Sequence, residues 1–254
     1  MIWNLVAVAL SYVAVPALLP IYGRRKTRNY LGEEVPTGVG YAFILPSALV
    51  IVLRSGAESQ SLLFTIVLLA FAALGAIDDA WGSQSQKGFR GHLAAGEVST
   101  GLLKAVGGGA TALAAASLLA TGWLELVING GLVALAANFL NLLDLRPGRA
   151  GKAFLLLGLP LHFLAADPAP LQVLSLAVAG YLPWDLRRRA MMGDTGANPL
   201  GAALGLMAAG SLTLGVKAVL LAALAGLNLL SERISFSELI EGSRILHFLD
   251  QLGR

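Results

Sequence analysis

The chain has 254 residues, 56% of them hydrophobic and only 13% charged, with a mean hydropathy of +0.73. That balance excludes an ordinary soluble domain and marks an all-α polytopic membrane protein, because a helix needs about 20 apolar residues to cross ~30 Å of hydrocarbon. There is no cysteine, which excludes disulfides and thiolate metal sites, and the net charge of +3 sits in loop clusters that follow the positive-inside rule, so no nucleic-acid partner is expected.

About nine spans are predicted. The first, 1–22, has no basic residue before it and Arg24, Arg25, Lys26 and Arg28 after it. A cleaved signal peptide carries its charge in front, so the N-terminus is placed outside and the loop 23–40 inside. The second span, 41–53, is short, with Pro46 a candidate kink. The third, 62–77, returns inward and ends on Asp78-Asp79. A polar loop, 80–99, carries Lys87, Arg90, His92 and Glu97. The fourth span, 100–121, holds Gly107-Gly108-Gly109 and many alanines, and small residues that let helix backbones approach place it inside the bundle. Trp123 reads as an anchor at the outer interface.

The fifth span, 124–143, brings Asn138, Asn141 and Asp144 to the inner edge, and the sixth and seventh are 153–166 and 171–184. After a basic loop the eighth starts at Asn198-Pro199, with Asn as N-cap and Pro as first helical residue, its positive dipole end facing the cytoplasm. The ninth is 214–230. Of the 18 basic residues, only Arg54 and Lys217 then fall off the inner side. Residues 1–230 are therefore read as a transmembrane bundle. The polar segment 231–254 is read as a cytoplasmic tail of one or two amphipathic helices on the inner leaflet, with apolar residues at helical spacing and a capping-box-like Ser235 to Glu238.

In this topology four polar clusters share one membrane face: Glu33-Glu34 with Pro36-Thr37-Gly38, Asp78-Asp79, Asn138/Asn141/Asp144, and Gly193-Asp194-Thr195-Gly196 with Asn198. The spacing i, i+3, i+6 keeps Asn138, Asn141 and Asp144 within roughly 120° of one helix face. Paired carboxylates with no neighbouring counter-charge suit Mg²⁺, a hard ion that takes one or two carboxylates and leaves positions for phosphate and water. Lys104, Arg146, Arg149 and Lys152 are candidates to offset phosphate charge. The Gly193 to Gly196 turn is a candidate to offer backbone N–H groups to an anion.

The order and spacing of these clusters resemble the polyprenyl-phosphate N-acetylhexosamine-1-phosphate transferases, the glycosyl transferase family 4 group that includes the phospho-N-acetylmuramoyl-pentapeptide transferase. Pro36-Thr37, Asp78-Asp79, Asn138/Asn141/Asp144 and Gly193-Asp194-Thr195-Gly196 stand where that family has its motifs. The resemblance implies a bacterial plasma-membrane enzyme with its active site on the cytoplasmic face. It would move a sugar 1-phosphate from a UDP-amino sugar to a polyprenyl (undecaprenyl) phosphate, releasing UMP, in cell-wall or surface-polysaccharide synthesis.

By the same resemblance Asp194 would bind Mg²⁺, and Asp78 and Asp79 would assist the metal or act on the lipid phosphate. Asp144 joins the catalytic set. Asn138, Asn141 and Asp144 would help hold the nucleotide diphosphate, Thr37 and the cations Lys104, Arg146, Arg149 and Lys152 are the further substrate-binding candidates, and the resemblance is compatible with a homodimer. This chain departs from the family after Asp144, where Leu145-Arg146-Pro147-Gly148-Arg149 replaces Gly-x-Asp-Gly-Leu, and in its tail, which replaces a tenth span. A second reading is a catalytically degenerate member that binds polyprenyl phosphate or a partner transferase. A transporter is disfavoured, since transporters hold ionisable groups near the bilayer midplane.

Overall fold

The computed structural model describes residues 2–22, 26–56, 58–81 and 100–254. Lys87, Arg90, His92 and Glu97 of the long polar loop, and Arg24 and Arg25 of the first basic cluster, lie outside the described residues. Helix α1 (Ile2–Tyr22) is followed by a hairpin of β1 (Lys26–Arg28) and β2 (Glu34–Pro36), then by α2 (Tyr41–Ser55), α3 (Ser59–Trp81), α4 (Thr100–Ser117) and α5 (Trp123–Leu143). The second half holds α6 (Arg149–Gly158), α7 (Leu161–Leu164), α8 (Ala169–Leu186), α9 (Gly193–Ser211) and α10 (Leu214–Ser231), with α11 (Phe236–Gly242) and α12 (Arg244–Gln251) in the tail. Among the described residues, α1, α3, α5 and α10 are long and apolar enough to cross a membrane. The others are shorter or less apolar; the architecture is an all-helical apolar bundle, apart from the hairpin, in keeping with a multi-pass membrane protein.

The axis of the bundle is α9. Apart from Asp194 and Met207, its residues from Gly193 to Ala209 are buried, and it packs most extensively on α5 and α3. A Cβ added at Gly201 would run into the backbone of Ala136, so α9 and α5 meet backbone to backbone. Close approach of this kind supplies the dispersion contact that associates helices in lipid, where apolar burial gives no net drive.

Three expectations are corrected. Helix α4 is peripheral: Gly108, Ala112, Ala115 and Ala116 face the bundle while Leu102, Leu103, Val106 and Leu113 remain exposed, so its small residues serve one packed stripe only. The sixth span is not one helix, because the chain breaks between α6 and α7 at Leu159-Pro160 and Pro160 has no N–H to continue the ladder. Helix α9 begins at Gly193, five residues before Asn198, which lies a full turn inside it. Within the first loop a short hairpin pairs Thr27 with Val35 and Arg28 with Glu34.

The tail folds back beneath the ends of α5 and α6. Phe236 meets Phe139 of α5 edge to face at 5.8 Å. Helix α12 docks by its polar side: Asp250 is buried while Ile245 is 74% and Phe248 65% exposed.

Candidate active site

Helix α3 continues to Trp81, which carries Asp78 and Asp79 in its last turns to the first turn of α9. The Asp79 carboxylate accepts the Asp194 N–H on Oδ1 at 3.0 Å, and on Oδ2 the Thr195 N–H at 2.9 Å and its hydroxyl at 2.6 Å. The two N–H groups are orphan donors of the kind that begins any helix, and the carboxylate that receives them faces the positive end of its dipole. The sequence offers them to an external anion; the structure gives them to Asp79. Two glycines make the contact feasible. Gly193 has φ +64°, and a Cβ there would sit 2.7 and 2.8 Å from the Asp79 oxygens. A Cβ at Gly75 would overlap the Asp194 carbonyl, so only glycine lets α3 pass so near.

With its backbone fixed this way, Asp194 directs its carboxylate toward α4 and α5. The Lys104 ammonium of α4 bonds to Asp194 and lies 3.6 Å from Asp78. With the Asn141 amide oriented to satisfy its neighbours, its nitrogen donates to Asp194 at 3.0 Å and its oxygen accepts from Lys104 at 2.7 Å. Asn198, expected to cap the helix, instead donates its amide to the Asp194 carbonyl at 3.0 Å. The segment Pro36 to Gly40 is stitched to the approach of α9. Met191 N–H donates to Pro36 O (2.8 Å), Val39 N–H to Met191 O (3.0 Å) and Gly40 N–H to Met192 O (3.1 Å). Thr37 and Gly38 are thereby carried alongside Asp79; a Cβ on Gly38 would lie 3.4 Å from its carboxylate.

Asp144 ends α5 and lines a small cleft with Asn29, Arg146, Asp185, Arg188 and Met191. Enclosure by protein atoms, and then the negative charges of Asp185, Asp194 and Asp79, push its carboxyl well above the usual carboxylate range. Asp185 was not singled out in the sequence, where it reads as the start of a basic loop. It is 3% exposed, and among the described residues its Oδ2 has no hydrogen-bond partner; nor has the Tyr181 hydroxyl one turn earlier. An acid ending an apolar span, four residues after a tyrosine, was the signal available.

Asp78, Asp79, Lys104, Asn141, Asp144 and Asp194 are thus brought to one end of the bundle. Other candidates are bonded elsewhere. Asn138 donates to Asn228 of α10 at 2.6 Å. Glu33 pairs with Asn29 and Arg188, and Glu34 with Lys26. Arg146 lines the cleft but pairs with Glu241 at 2.7 Å and covers the Tyr30 ring at 4.2 Å. Arg149 and Lys152 are taken up by the tail. Among the described residues, no three His, Cys, Asp or Glu side chains stand close enough to hold a metal ion by themselves.

The model of glycosyl transferase family 4 matches residues 61–212, from the start of α3 to the end of α9. No curated protein sequence matches the chain. The matched stretch is more than half of the chain and contains all six residues that converge at the site, so this chain belongs to glycosyl transferase family 4 and is a transferase.

Proposed function

We propose that the protein transfers a sugar 1-phosphate from a UDP-amino sugar to a polyprenyl phosphate at the cytoplasmic face of a bacterial membrane. An oxygen of the lipid phosphate would form a bond to the sugar-bearing phosphorus of the donor. The bond from that phosphorus to the bridging oxygen breaks, and its electron pair leaves with UMP. The carrying observation is Lys104, an ammonium gathered by Asp78, Asp194 and Asn141 at the end of the bundle that also holds Asp144. Both reactants are anionic, so a site for this reaction must place positive charge between them before in-line attack.

The donor set is all oxygen and already surrounds a positive charge, which fits a hard divalent cation completed by phosphate and water. Asp194 and Asp78 would hold Mg²⁺, which when bound would neutralise charge on the phosphate oxygens. Lys104 would direct its ammonium to the bridging oxygen, whose negative charge grows as it leaves with UMP. Asp79 keeps the first turn of α9 in place rather than contacting substrate, as its bonds to Asp194 and Thr195 support. Asn141 and Asp144 would border the donor, whose head group enters the cleft beside Arg146, with Thr37 at its rim.

The test is UMP release by purified protein given undecaprenyl phosphate, Mg²⁺ and a panel of UDP-sugars, with Asp78→Asn, Asp79→Asn and Asp194→Asn in parallel. Release that each substitution lowers by about 100-fold or more is expected. No release with any donor, or release indifferent to all three changes, rejects the assignment. One observation favours a binding-only member: Arg149 and Lys152 are held by the tail rather than presented to phosphate. Lipid-phosphate binding without turnover would support that reading.

A further inference from the structure

The chain just after Asp144 is held from outside. Glu241 takes the Arg146 guanidinium at 2.7 Å, and the Arg254 side chain donates to the Pro147 carbonyl at 2.9 Å. Arg149, 4% exposed, makes a two-pronged pair with Asp250 at 2.8 and 3.1 Å and adds Ser237 at 2.9 Å. Arg254 reaches the same Asp250 oxygen at 2.8 Å. The Lys152 ammonium donates to the carbonyls of Leu249, Asp250 and Leu252 at 2.9, 2.6 and 3.0 Å, satisfying acceptors that the end of α12 leaves without partners. Four residues between 146 and 152 are therefore bonded to the last eighteen of the chain.

We propose that the C-terminal segment 236–254 is a positioning element of the transfer reaction. Asp250 acts through Arg149, and the carbonyls of 249–252 through Lys152, to fix the 144–152 loop and with it Asp144 and Arg146 of the cleft. The proposal rests on the transferase reading above. Between the end of α5 and the start of α6 the loop is bonded internally by Asp144 N–H to Asn141 O, Leu145 N–H to Leu143 O, Arg149 N–H to Arg146 O and Lys152 N–H to Gly148 O, and the Asp185 carboxylate and the Gly193 backbone hold Gly148 and Asp144, so the bonds on its basic side chains come from the tail. Within the protein α12 is held by polar contacts rather than by apolar burial, since Ile245, Phe248, Leu249 and Leu252 face outward. Its docking depends on charge, so loss of the Asp250 charge releases it. Asp250 and Arg149 touch no substrate; they are positioning residues.

The experiment measures kcat, KM and thermal unfolding for full-length wild type, Asp250→Asn, Asp250→Glu and Lys217→Met, using UMP release with the donor that wild type accepts. Lys217→Met cuts the Lys217–Glu125 pair at the far end of α5, and serves as the measure of what lost stability alone does. The expected result for Asp250→Asn is a fall in kcat of about 10- to 100-fold with KM for polyprenyl phosphate unchanged, as for a displaced catalytic loop. Asp250→Glu restores kcat, and Lys217→Met lowers the unfolding midpoint while keeping kcat. If Asp250→Asn does not accumulate, Ser237→Ala, which removes one Arg149 bond, shows the same kcat-selective loss to a smaller degree. Unchanged kcat in Asp250→Asn, or in Ser237→Ala where that variant replaces it, overturns the tail proposal alone. An equal kcat loss in Lys217→Met does the same. A wild type silent with every donor overturns the transferase reading beneath it.

Discussion

Removing the Lys104 ammonium takes away the cation that Asp78 and Asp194 share. Two like charges about 4 Å apart repel by about 4 kcal/mol at the effective dielectric of a partly exposed site. The bundle can relieve this only by protonating a carboxylate or moving it, and either change disturbs the side chains proposed to receive the metal. Lys104→Met is therefore expected to lower UMP release by about 100-fold or more. Lys104→Arg is expected to fail as well, because a planar fork does not replace a compact ammonium bonded to Asp194 and received by the Asn141 oxygen. Initial-rate assays across a Mg²⁺ series check both, and wild-type rates in Lys104→Met would remove Lys104 from the mechanism. Asp79 differs in kind. Its three accepted hydrogen bonds are directed at α9, so its loss acts on where Asp194 stands.

At the scale of elements, α9 transmits any misfit directly to the site, since its first turn carries Asp194 and its middle touches α5. Gly201→Leu would have to move α9 off the Ala136 backbone, and overpacking at such a contact costs about 3 kcal/mol or more. A lower unfolding midpoint in detergent together with lost turnover is expected, and a stable, active Gly201→Leu would show that the backbone contact is dispensable. Much of this arrangement was legible in the sequence. Alternating spans carry Asp78-Asp79, Asn141, Asp144 and Asp194 to one end of the bundle, and helical periodicity alone puts Asn141 and Asp144 near one another. Periodicity names a face but not the neighbour across it. An i, i+3, i+6 set fans through about 120°, so Asn138 meets Asn228 of α10 while Asn141 meets Asp194. The start of α9 was misplaced for a similar reason: its cap is the side chain of Asp79, 114 positions before Gly193 and invisible to any local rule. The basic residues after Asp144 fit the positive-inside pattern so well that their pairing with Glu241 and Asp250 left no separate trace.

Taken as a whole, the molecule has a charged clasp at each end of α5. Glu125 and Lys217 pair at one end, and Arg149, Lys152, Arg254 and Asp250 gather at the other. The second clasp should respond to acid in a defined window. Burial alone would raise the Asp250 carboxyl, but Arg149, Arg254 and Lys152 outweigh it and hold the group below its ordinary value near 3.8. A depressed carboxylate contributes docking stability that is fully present above the ordinary value and is lost as pH falls through the lower, docked one. Lys152 works on the other side. Burial, with Arg254 and Arg149 nearby, pushes its ammonium below 10.5 despite Asp250 and Asp185, so its share of docking does not weaken as pH rises toward that value. Tail docking is therefore expected to stay level from about pH 5 to 8 and to be lost below about pH 4. The chain contains no cysteine, so a single fluorophore on Gln251→Cys would report only the tail. Its anisotropy in detergent should remain high across neutral pH and drop in acid. In an Asp250→Asn background it should be low already at pH 7, with no acid transition. A transition centred above pH 5, or one that persists in Asp250→Asn, would assign the clasp to another group.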